Sequence, residues 1–328
     1  MLKKFKYIVI TVALSANLLN AFGGSGDAGT LTGAFLKIGS SARGAAMGDA
    51  YSALCEDASA FYYNPAGLNF TGRLGFSLMH AIWFEGVSYE TLGMNMDLGT
   101  AGKLGAGVQY LAYGALAGAD TLGTSTGDFF PGDLAISASY ARNISGYDLG
   151  ITAKYISLTI AQTASTFAFD LGVIKKLKIS DTDVSVAFTA KNLGLPVSFG
   201  SISEGLAGSF NLGAALSPVR DFKLAVEISF PWDNPLFIMA GGEYTLMVGT
   251  DIDIEFRAGY NARSAQAGEL GGLTTGFGVN SGEYSLDYAF IPIGNLGYTH
   301  RISISAAFGM IAGPVTPAPA RKFGVRKK

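Results

Sequence analysis

Two stretches of the chain decide the fold: FKLAVEISF at residues 222–230 and DIDIEFRAGY at residues 251–260. Large apolar residues occupy every second position, and charged or small residues occupy the positions between them. Because successive side chains of a β-strand point to opposite faces, each stretch predicts a strand with one apolar face and one polar face.

The same period-two pattern recurs along the chain, and it predicts fourteen strands in all. Most of them are close to the ~9–11 residues that a tilted strand needs to cross a bilayer. All ten prolines fall outside these segments or at their ends, as expected because proline cannot donate to a β-ladder. The predicted strands are 74–84, 87–97, 103–112, 133–141, 147–158, 166–176, 183–191, 208–217, 222–230, 236–246, 251–260, 271–279, 283–291 and 297–308.

The connections between these segments alternate in length. If the first strand rises from the periplasm, long connections such as 113–132 and 192–207 fall at the outer end. Short ones such as 98–102 and 142–146 fall at the inner end. Bacterial outer-membrane barrels have this asymmetry together with an even strand number. The sequence therefore predicts an all-β protein, a 14-stranded antiparallel transmembrane β-barrel. A soluble all-β sandwich is the alternative, but its long loops need not segregate to one end.

The composition excludes several other classes of protein. Among 328 residues, 49% are hydrophobic, only 15% are charged and 45 are glycines. A disordered chain needs more charge and fewer apolar residues. A nucleic-acid partner is not expected, because the formal net charge is -2. A single cysteine cannot build a disulfide framework.

The two ends of the chain differ from the segments between them. Residues 1–21 combine Lys3, Lys4 and Lys6 with an apolar run, the layout of a secretory signal peptide. Residues 309–328 contain five basic residues, three prolines and no acid, which predicts an extended periplasmic tail. The predicted division is a signal peptide (1–21), an N-terminal extension and hatch (22–73), the barrel (74–308) and the tail (309–328).

Residues 35–69 do not alternate, and they predict a compact helical hatch inside the barrel. Ser40, Gly44, Gly48 and Ser52 are four apart, so on one helix they would form a smooth stripe. Asp57 is a candidate N-cap for a short helix over 58–63. That helix should end before Pro65, because the residue before a proline disfavours helical geometry. Gly67 would then allow a tight turn into the first strand.

The hatch sequence resembles that of the PorV/PorQ family. The matching elements are FLKIG at 35–39, ARGAAMG at 42–48, DA at 57–58 and YNPAGL at 63–68. That family is related to the FadL-type long-chain fatty-acid channels, which also combine a hatch ending in Asn-Pro-Ala with a fourteen-stranded barrel. The chain departs from the usual end of such barrels, because about twenty residues follow Phe308, the last strand's terminal aromatic residue. The hatch-motif residues are Arg43, Gly44, Gly48, Asp57, Asn64, Pro65 and Gly67.

Period-two phasing places charged side chains on the lumen face of the wall. Buried charges must be paired or hydrated. The three acids of one strand, Asp251, Asp253 and Glu255, suggest an ion pair with Arg43 of the hatch. Such pairs would either anchor the hatch or control a permeation path. The charges assigned to the lumen are Lys154, Lys191, Lys223, Glu227, Asp251, Asp253, Glu255, Arg257 and Asp287.

The sequence offers little sign of catalysis. The two histidines, His80 and His300, lie in the first and last strands, which are neighbours in a closed barrel. We interpret them as wall residues, with a metal or acid–base role as the weaker alternative. Ser303 and Ser305 would point to the opposite face from His300, which leaves an outer-membrane hydrolase as a third, less favoured interpretation. The chain is therefore predicted not to be an enzyme and to need no cofactor or metal.

Two functions remain, and both place the chain in the bacterial outer membrane. The resemblance to PorV implies a binding or shuttle component of type IX-like protein secretion, with secreted proteins or secretion-system subunits as partners. The wider FadL-type resemblance implies a channel for hydrophobic small molecules such as fatty acids. Outer-membrane lipid and the barrel-assembly machinery are expected partners in either case. The loop residues that suit a lipid pocket or a protein-binding surface are Leu111, Tyr113, Leu116, Leu122, Phe129, Phe130, Leu193, Leu195, Val197, Phe199 and Leu206.

Overall fold

The computed structural model describes residues 28–309 apart from 84, 161, 181, 295 and 296. The signal peptide predicted at 1–21 and the tail predicted beyond Gly309 lie outside the described residues.

Fourteen of the eighteen strands in this part of the chain form a closed antiparallel barrel, which confirms the predicted fold class. Each barrel strand pairs with its neighbour in sequence, and β1 closes the barrel on β18, with Ile82 opposite His300. Two small hairpins, β4–β5 and β10–β11, stand outside the wall. The barrel strands are β1 (Leu74–Ile82), β2 (Ser88–Asp97), β3 (Lys103–Ala112), β6 (Gly132–Ile144), β7 (Tyr147–Thr159), β8 (Thr163–Ile179), β9 (Thr182–Gly194), β12 (Ser209–Val219), β13 (Phe222–Pro231), β14 (Phe237–Val248), β15 (Ile252–Asn261), β16 (Leu273–Ser281), β17 (Tyr284–Pro292) and β18 (Tyr298–Phe308); the hairpin strands are β4 (Leu116–Ala119), β5 (Ser125–Phe129), β10 (Val197–Phe199) and β11 (Ile202–Glu204).

The wall has an apolar outer face and a buried inner face. In β1 the burial alternates residue by residue, and outward side chains such as Leu78 (53% exposed) and Ile82 (51%) have no protein cover. Large apolar residues that stay exposed over the whole circumference are typical of a surface whose solvent is lipid. No helix among the described residues is long and apolar enough to cross a membrane.

The connections separate the two ends of the barrel. At one end, called the loop end, the longest connections run over 113–131, 195–208 and 262–272. At the other end, called the turn end, 145–146 and 220–221 are two-residue turns. Both hairpins outside the wall belong to the long connections of the loop end. The sequence predicted this asymmetry but not the hairpins.

The hatch fills the lumen with short helices. A 3₁₀-helix (Ala34–Lys37) is followed by α1 (Ala42–Ala46), α2 (Ala60–Tyr63) and a second 3₁₀-helix (Pro65–Phe70). Its large side chains, including Tyr51, are almost completely buried. A compact plug of this kind explains why the inner face of the wall is buried over much of its area.

Several details of the hatch differ from the sequence prediction. The stripe from Ser40 to Ser52 does not lie on one helix, because α1 ends at Ala46 and Gly48 has a left-handed backbone (φ 67°). The reason is a close approach: a side chain at Gly48 would overlap the backbone of Tyr260 in β15. The helix after Asp57 begins at Ala60 rather than 58. Gly67 lies inside the second 3₁₀-helix, where it packs on Cys55.

Candidate functional site

The candidate site is the boundary between the hatch and the barrel wall. Inward-facing glycines of the wall make room for the hatch on several sides of the lumen. A methyl group added at Gly107 of β3 would overlap the ring of Phe61, and one at Gly150 of β7 would overlap the backbone of Pro65. Interiors are packed to crystal-like density, so such positions admit nothing larger than hydrogen. Much of the glycine excess of the sequence therefore lies in the wall, opposite the hatch.

The Asn-Pro element of the hatch motif sits at the centre of this contact. The side chain of Asn64 is fully buried; its amide donates to Ser52 O (3.1 Å) and Val173 O (3.4 Å). Its carbonyl oxygen accepts the backbone N–H of Ala66 (3.1 Å). The residue itself is extended, as expected before Pro65, and it joins the two helical segments. Asn64 thus links the hatch to the wall strand β8.

Wall side chains also satisfy the backbone of the hatch on its other side. Ser303 Oγ accepts the N–H of Ala42 at the start of α1 (2.8 Å), and Thr274 Oγ1 donates to Ala46 O at its end (2.9 Å). Short helices leave most of their terminal N–H and C=O groups without partners of their own. These bonds therefore hold α1 in one orientation against β16 and β18.

A buried charge network joins the hatch to β14, β15 and β17, in the half of the lumen nearer the turn end. Arg43 donates two bonds to the Glu243 carboxylate, both of 2.8 Å. Arg257 donates to the same carboxylate (2.7 Å), to Asp287 (2.6 Å) and to Glu255. Glu243, which is 1% exposed, is therefore the common anion of two guanidinium groups.

Two further groups extend this network towards the turn end. Lys223 lies between Glu243 (3.3 Å) and Glu56 of the hatch (3.2 Å). Glu56 also accepts from Arg43 (3.3 Å). Burial by itself raises the pKa of the Glu56 carboxyl, but the charges of Lys223 and Arg43 lower it more, and the pKa comes to about 2. Glu56 is therefore ionised under ordinary conditions.

The ion pair predicted for Arg43 was wrong in its partner. We expected Asp251, Asp253 or Glu255, and the structure pairs Arg43 with Glu243 and Glu56. Glu255 is instead held by Arg257 of its own strand. Asp251 lies exposed in the turn before β15, and the half-buried Asp253 lines a cavity at the turn end.

The alternation of β14 could have shown that Glu243, the missed partner, faces the lumen. In β14 the inward positions run through Met239 and Gly241 to Glu243, so the residue is on the lumen face by phase alone. Nothing in the sequence, however, shows which strand α1 will face. That depends on the orientation of the hatch in the lumen, which is set by its close contacts with the wall glycines.

The three remaining charged lumen residues make three different kinds of contact. Glu227 accepts the backbone N–H of Ser52 (3.0 Å), which makes it another wall anchor for the hatch. Lys154, which is fully buried, binds Asp170 (2.6 Å) and Asn192 (2.8 Å) within the wall. The ammonium of Lys191 packs 3.5 Å from the centre of the Tyr62 ring.

The loop-end half of the lumen is apolar along β1, β2, β3, β6, β7 and β8. Phe35 and Leu36 of the hatch pack there against wall residues such as Tyr89 and Ile156, and Leu206 closes the cluster from the loops. A parallel bridge between Thr32 and Leu206 fixes the N-terminal strap of the hatch (residues 28–38) to the loop before β12. An open cavity of about 570 Å³ lies above this cluster.

The two histidines do not form a common site. His80 pairs with Glu90 (2.7 Å) and His300 bonds to the hydroxyl of Tyr288 (2.7 Å), all on the outer face of the wall. Among the described residues no group of three or more His, Cys, Asp or Glu side chains is arranged to hold a metal ion.

Comparison with known proteins adds information about the fold. No protein-family model and no curated protein sequence matches the chain. Similar solved structures include the toluene transporter TbuX of Ralstonia pickettii, with 14% identity over 81% of this chain and 97% of that chain and a TM-score of 0.52. The toluene transporter TodX of Pseudomonas putida has 13% identity over 80% and 96%, with a TM-score of 0.45. The monoaromatic hydrocarbon channel CymD has 12% identity over 83% and 98%, with a TM-score of 0.48.

At these identities the likeness to TbuX concerns the fold alone. It agrees with the closed antiparallel barrel that the sequence predicted. The relation to the FadL-type channels and the relation to PorV/PorQ stay predictions.

Proposed function

We propose that the chain is an outer-membrane transport barrel that takes up small hydrophobic molecules, with its loop end towards the cell exterior. The short turns would then face the periplasm, as in bacterial outer-membrane barrels. The fold shared with TbuX, a toluene transporter, supports this class of function. Uptake of this kind needs neither catalysis nor a cofactor.

One observation carries the proposal: the open cavity at the loop end. Its apolar lining includes Leu31, Tyr113, Leu158, Ile160 and Phe199, and its floor is the apolar cluster under the strap. At about 570 Å³ it lies within the ~300–1,000 Å³ of ordinary ligand pockets. A hydrophobic molecule that bound there would leave water at the strap, before it met the helices of the hatch, which favours capture without requiring a specific polar contact.

The position of Phe199 supports a direct test. The purified protein in detergent is titrated with N-phenyl-1-naphthylamine, and toluene is added as a competitor. The Phe199→Ser variant should bind the probe about five-fold more weakly, because part of an aromatic contact worth ~1.5–3 kcal/mol is lost. Leu195→Ser is the matched control, since Leu195 is a loop residue that is 69% exposed and lies outside the cavity.

Native mass spectrometry of the same preparation gives an independent readout. A co-purifying lipid, fatty acid or hydrocarbon would support uptake. Equal probe binding by wild type and Phe199→Ser, with no displacement by toluene, would contradict the proposed site.

The β4–β5 hairpin favours a second candidate, the PorV-like role in protein secretion. Leu122 at its tip is 89% exposed and Phe130 at its base is 72% exposed, so neither contributes to the cavity. Exposed apolar residues clustered on a projecting hairpin suit a protein-binding surface. Secreted proteins or secretion-system subunits that co-purify with wild type, but not after 116–129 are replaced by a Gly-Ser linker, would favour this role.

A further inference from the structure

A second cavity lies inside the lumen, on the opposite side from the apolar cluster, and the hatch forms its floor. It is bounded by β9, β12, β13, β14 and β15 and by Tyr62 and Tyr63 of the hatch. The space open to the centre of a water molecule is about 70 Å³. Because a single water needs ~10–15 Å³ on this measure, the chamber has room for about five waters or one small molecule.

One cation of this chamber has no close anion. Among the described residues, no carboxylate oxygen lies within 4.0 Å of the Lys191 ammonium, which instead rests on the Tyr62 ring. Asp170 and Glu227 attract it from farther away. A half-buried ammonium with only an aromatic face as its near neighbour keeps its donors available.

A second cation stands at the rim of the chamber. Arg263 donates to the backbone oxygen of Lys37 (3.2 Å) and stacks near Phe237, and it has no carboxylate partner in the described part of the chain. Lys37 itself is paired with the buried Asp233. The chamber therefore contains one ammonium group and one guanidinium group that contact no carboxylate of the described residues.

Two acids also line the chamber, and each accepts a hydrogen bond from a neutral group of the hatch. Asp49 accepts the hydroxyl of Tyr63 (3.0 Å), and Glu227 accepts the N–H of Ser52 (3.0 Å). The rest of the lining combines neutral polar side chains, among them Asn211, Ser209 and Ser229, with apolar ones such as Phe237 and Met239. The side-chain amide of Asn211 donates to the hydroxyl of Thr189 (2.9 Å). Its side-chain carbonyl oxygen has no partner among the described residues.

We propose that this chamber binds a small hydroxylated organic anion, whose carboxylate group contacts Lys191 and whose hydroxyl groups meet the amide and hydroxyl side chains of β12 and β13. Charge-assisted bonds to a carboxylate are the strongest that these groups can form. The ligand class differs from the hydrophobic molecules proposed for the loop-end cavity, and it occupies a different part of the lumen.

The test compares glycerate with glycerol, which has the same three-carbon skeleton without the carboxylate. Each is titrated into the full barrel in detergent by isothermal calorimetry. Wild type should bind glycerate and bind glycerol at least about tenfold more weakly. Lys191→Gln should lose about tenfold in glycerate affinity, and Arg263→Gln should lose less, because Arg263 lies at the rim.

Lys178→Gln is the matched control, since it removes the same charge at the turn end, on the other side of the hatch. Heat-modifiable migration in gels establishes that each variant is folded. Equal binding of glycerol and glycerate, equal affinity of wild type and Lys191→Gln, or no glycerate binding up to about 20 mM would overturn the proposal.

The outcome is separable from that of the uptake proposal. Lys191→Gln should leave binding of N-phenyl-1-naphthylamine unchanged, and Phe199→Ser should leave glycerate binding unchanged. A loss of both ligands in either variant would mean that the two cavities are not independent and would contradict the assignment of a separate anion site.

Discussion

The hatch meets the two sides of the barrel by different physical means. Towards β3, β7 and β8 it packs on glycines, as Phe61 does on Gly107, and no ion pair between described residues joins it to these strands. Towards β14 and β15 it also packs on glycines, at Gly241 and Gly259, but there Arg43 and Glu243 add a buried network of three cations and four carboxylates. Steric contact tolerates almost no displacement, whereas ion pairs can exchange partners with water. The difference is therefore that ion pairs hold the hatch on one side in addition to the steric fit found on both.

Of the substitutions that test this comparison, Glu243→Gln should lower the free energy of unfolding most. The substitution leaves both Arg43 and Arg257 without their common anion, and breaking a buried pair by removing one partner costs about 3–5 kcal/mol. We expect the free energy of unfolding to fall by that amount and protease to cleave the hatch faster. Urea unfolding followed by fluorescence, with limited proteolysis alongside, measures both.

Glu269→Gln provides the control for that experiment. It makes the same chemical change at an exposed loop position outside the network. A hatch as protease-resistant in Glu243→Gln as in this control would show that the charged side does not hold it.

Arg43→Ala should have a smaller effect that is more specific to the hatch. Glu243 keeps Arg257 and Lys223, so the remaining charge stays compensated and the cost should be about 2–3 kcal/mol. The wall network persists while the hatch loses its contact with it. We expect a looser hatch and a higher conductance in planar bilayers.

The same substitution has a clear contrary outcome. If conductance and protease resistance both equal those of wild type, the Arg43 pair does not restrain the hatch. The double variant Arg43→Ala/Glu243→Gln should cost less than the sum of the two single variants, because residues of one network are coupled.

The sequence was sufficient for the wall but not for the hatch contacts. Alternation such as that of 222–230 defines a strand and its inward face without any tertiary information. The end of α1 at Ala46 could not be predicted, because Gly48 adopts a left-handed conformation only where it meets the backbone of β15. The Arg43–Glu243 pair likewise depends on the rotation of the hatch, which no local pattern specifies.

The packing of the hatch on wall glycines can be tested by adding a single methyl group at Gly107. Its added carbon would overlap the Phe61 ring, and overpacking of this kind costs about 1–3 kcal/mol. We expect Gly107→Ala to lower the urea midpoint and to leave the charged side intact. Gly242→Ala is the control, because Gly242 faces outward and its added methyl group would lie 3.4 Å from Leu224, an ordinary contact distance. An equal loss in both variants would mean that strand propensity, rather than contact with the hatch, explains the effect.

The smallest effect should be the pH dependence that Glu56 gives to the charged side. The pKa of Glu56 is lowered to about 2 in the folded protein, so its contribution to stability is fully present above its unfolded value of about 4.5 and is lost as the pH falls towards 2. The side chain is 43% exposed, and solvent screening keeps that contribution below about 1 kcal/mol.

We therefore expect the urea midpoint of wild type to fall slightly more than that of Glu56→Gln between about pH 5 and pH 3. The difference between the two proteins should shrink as the carboxylate becomes protonated, because the variant lacks the titrating group. A difference that stays constant over this range would assign the Glu56 contact to packing instead of charge. The contact between Arg43 and Glu243 would then stabilise the charged side of the hatch without a contribution from the charge of Glu56.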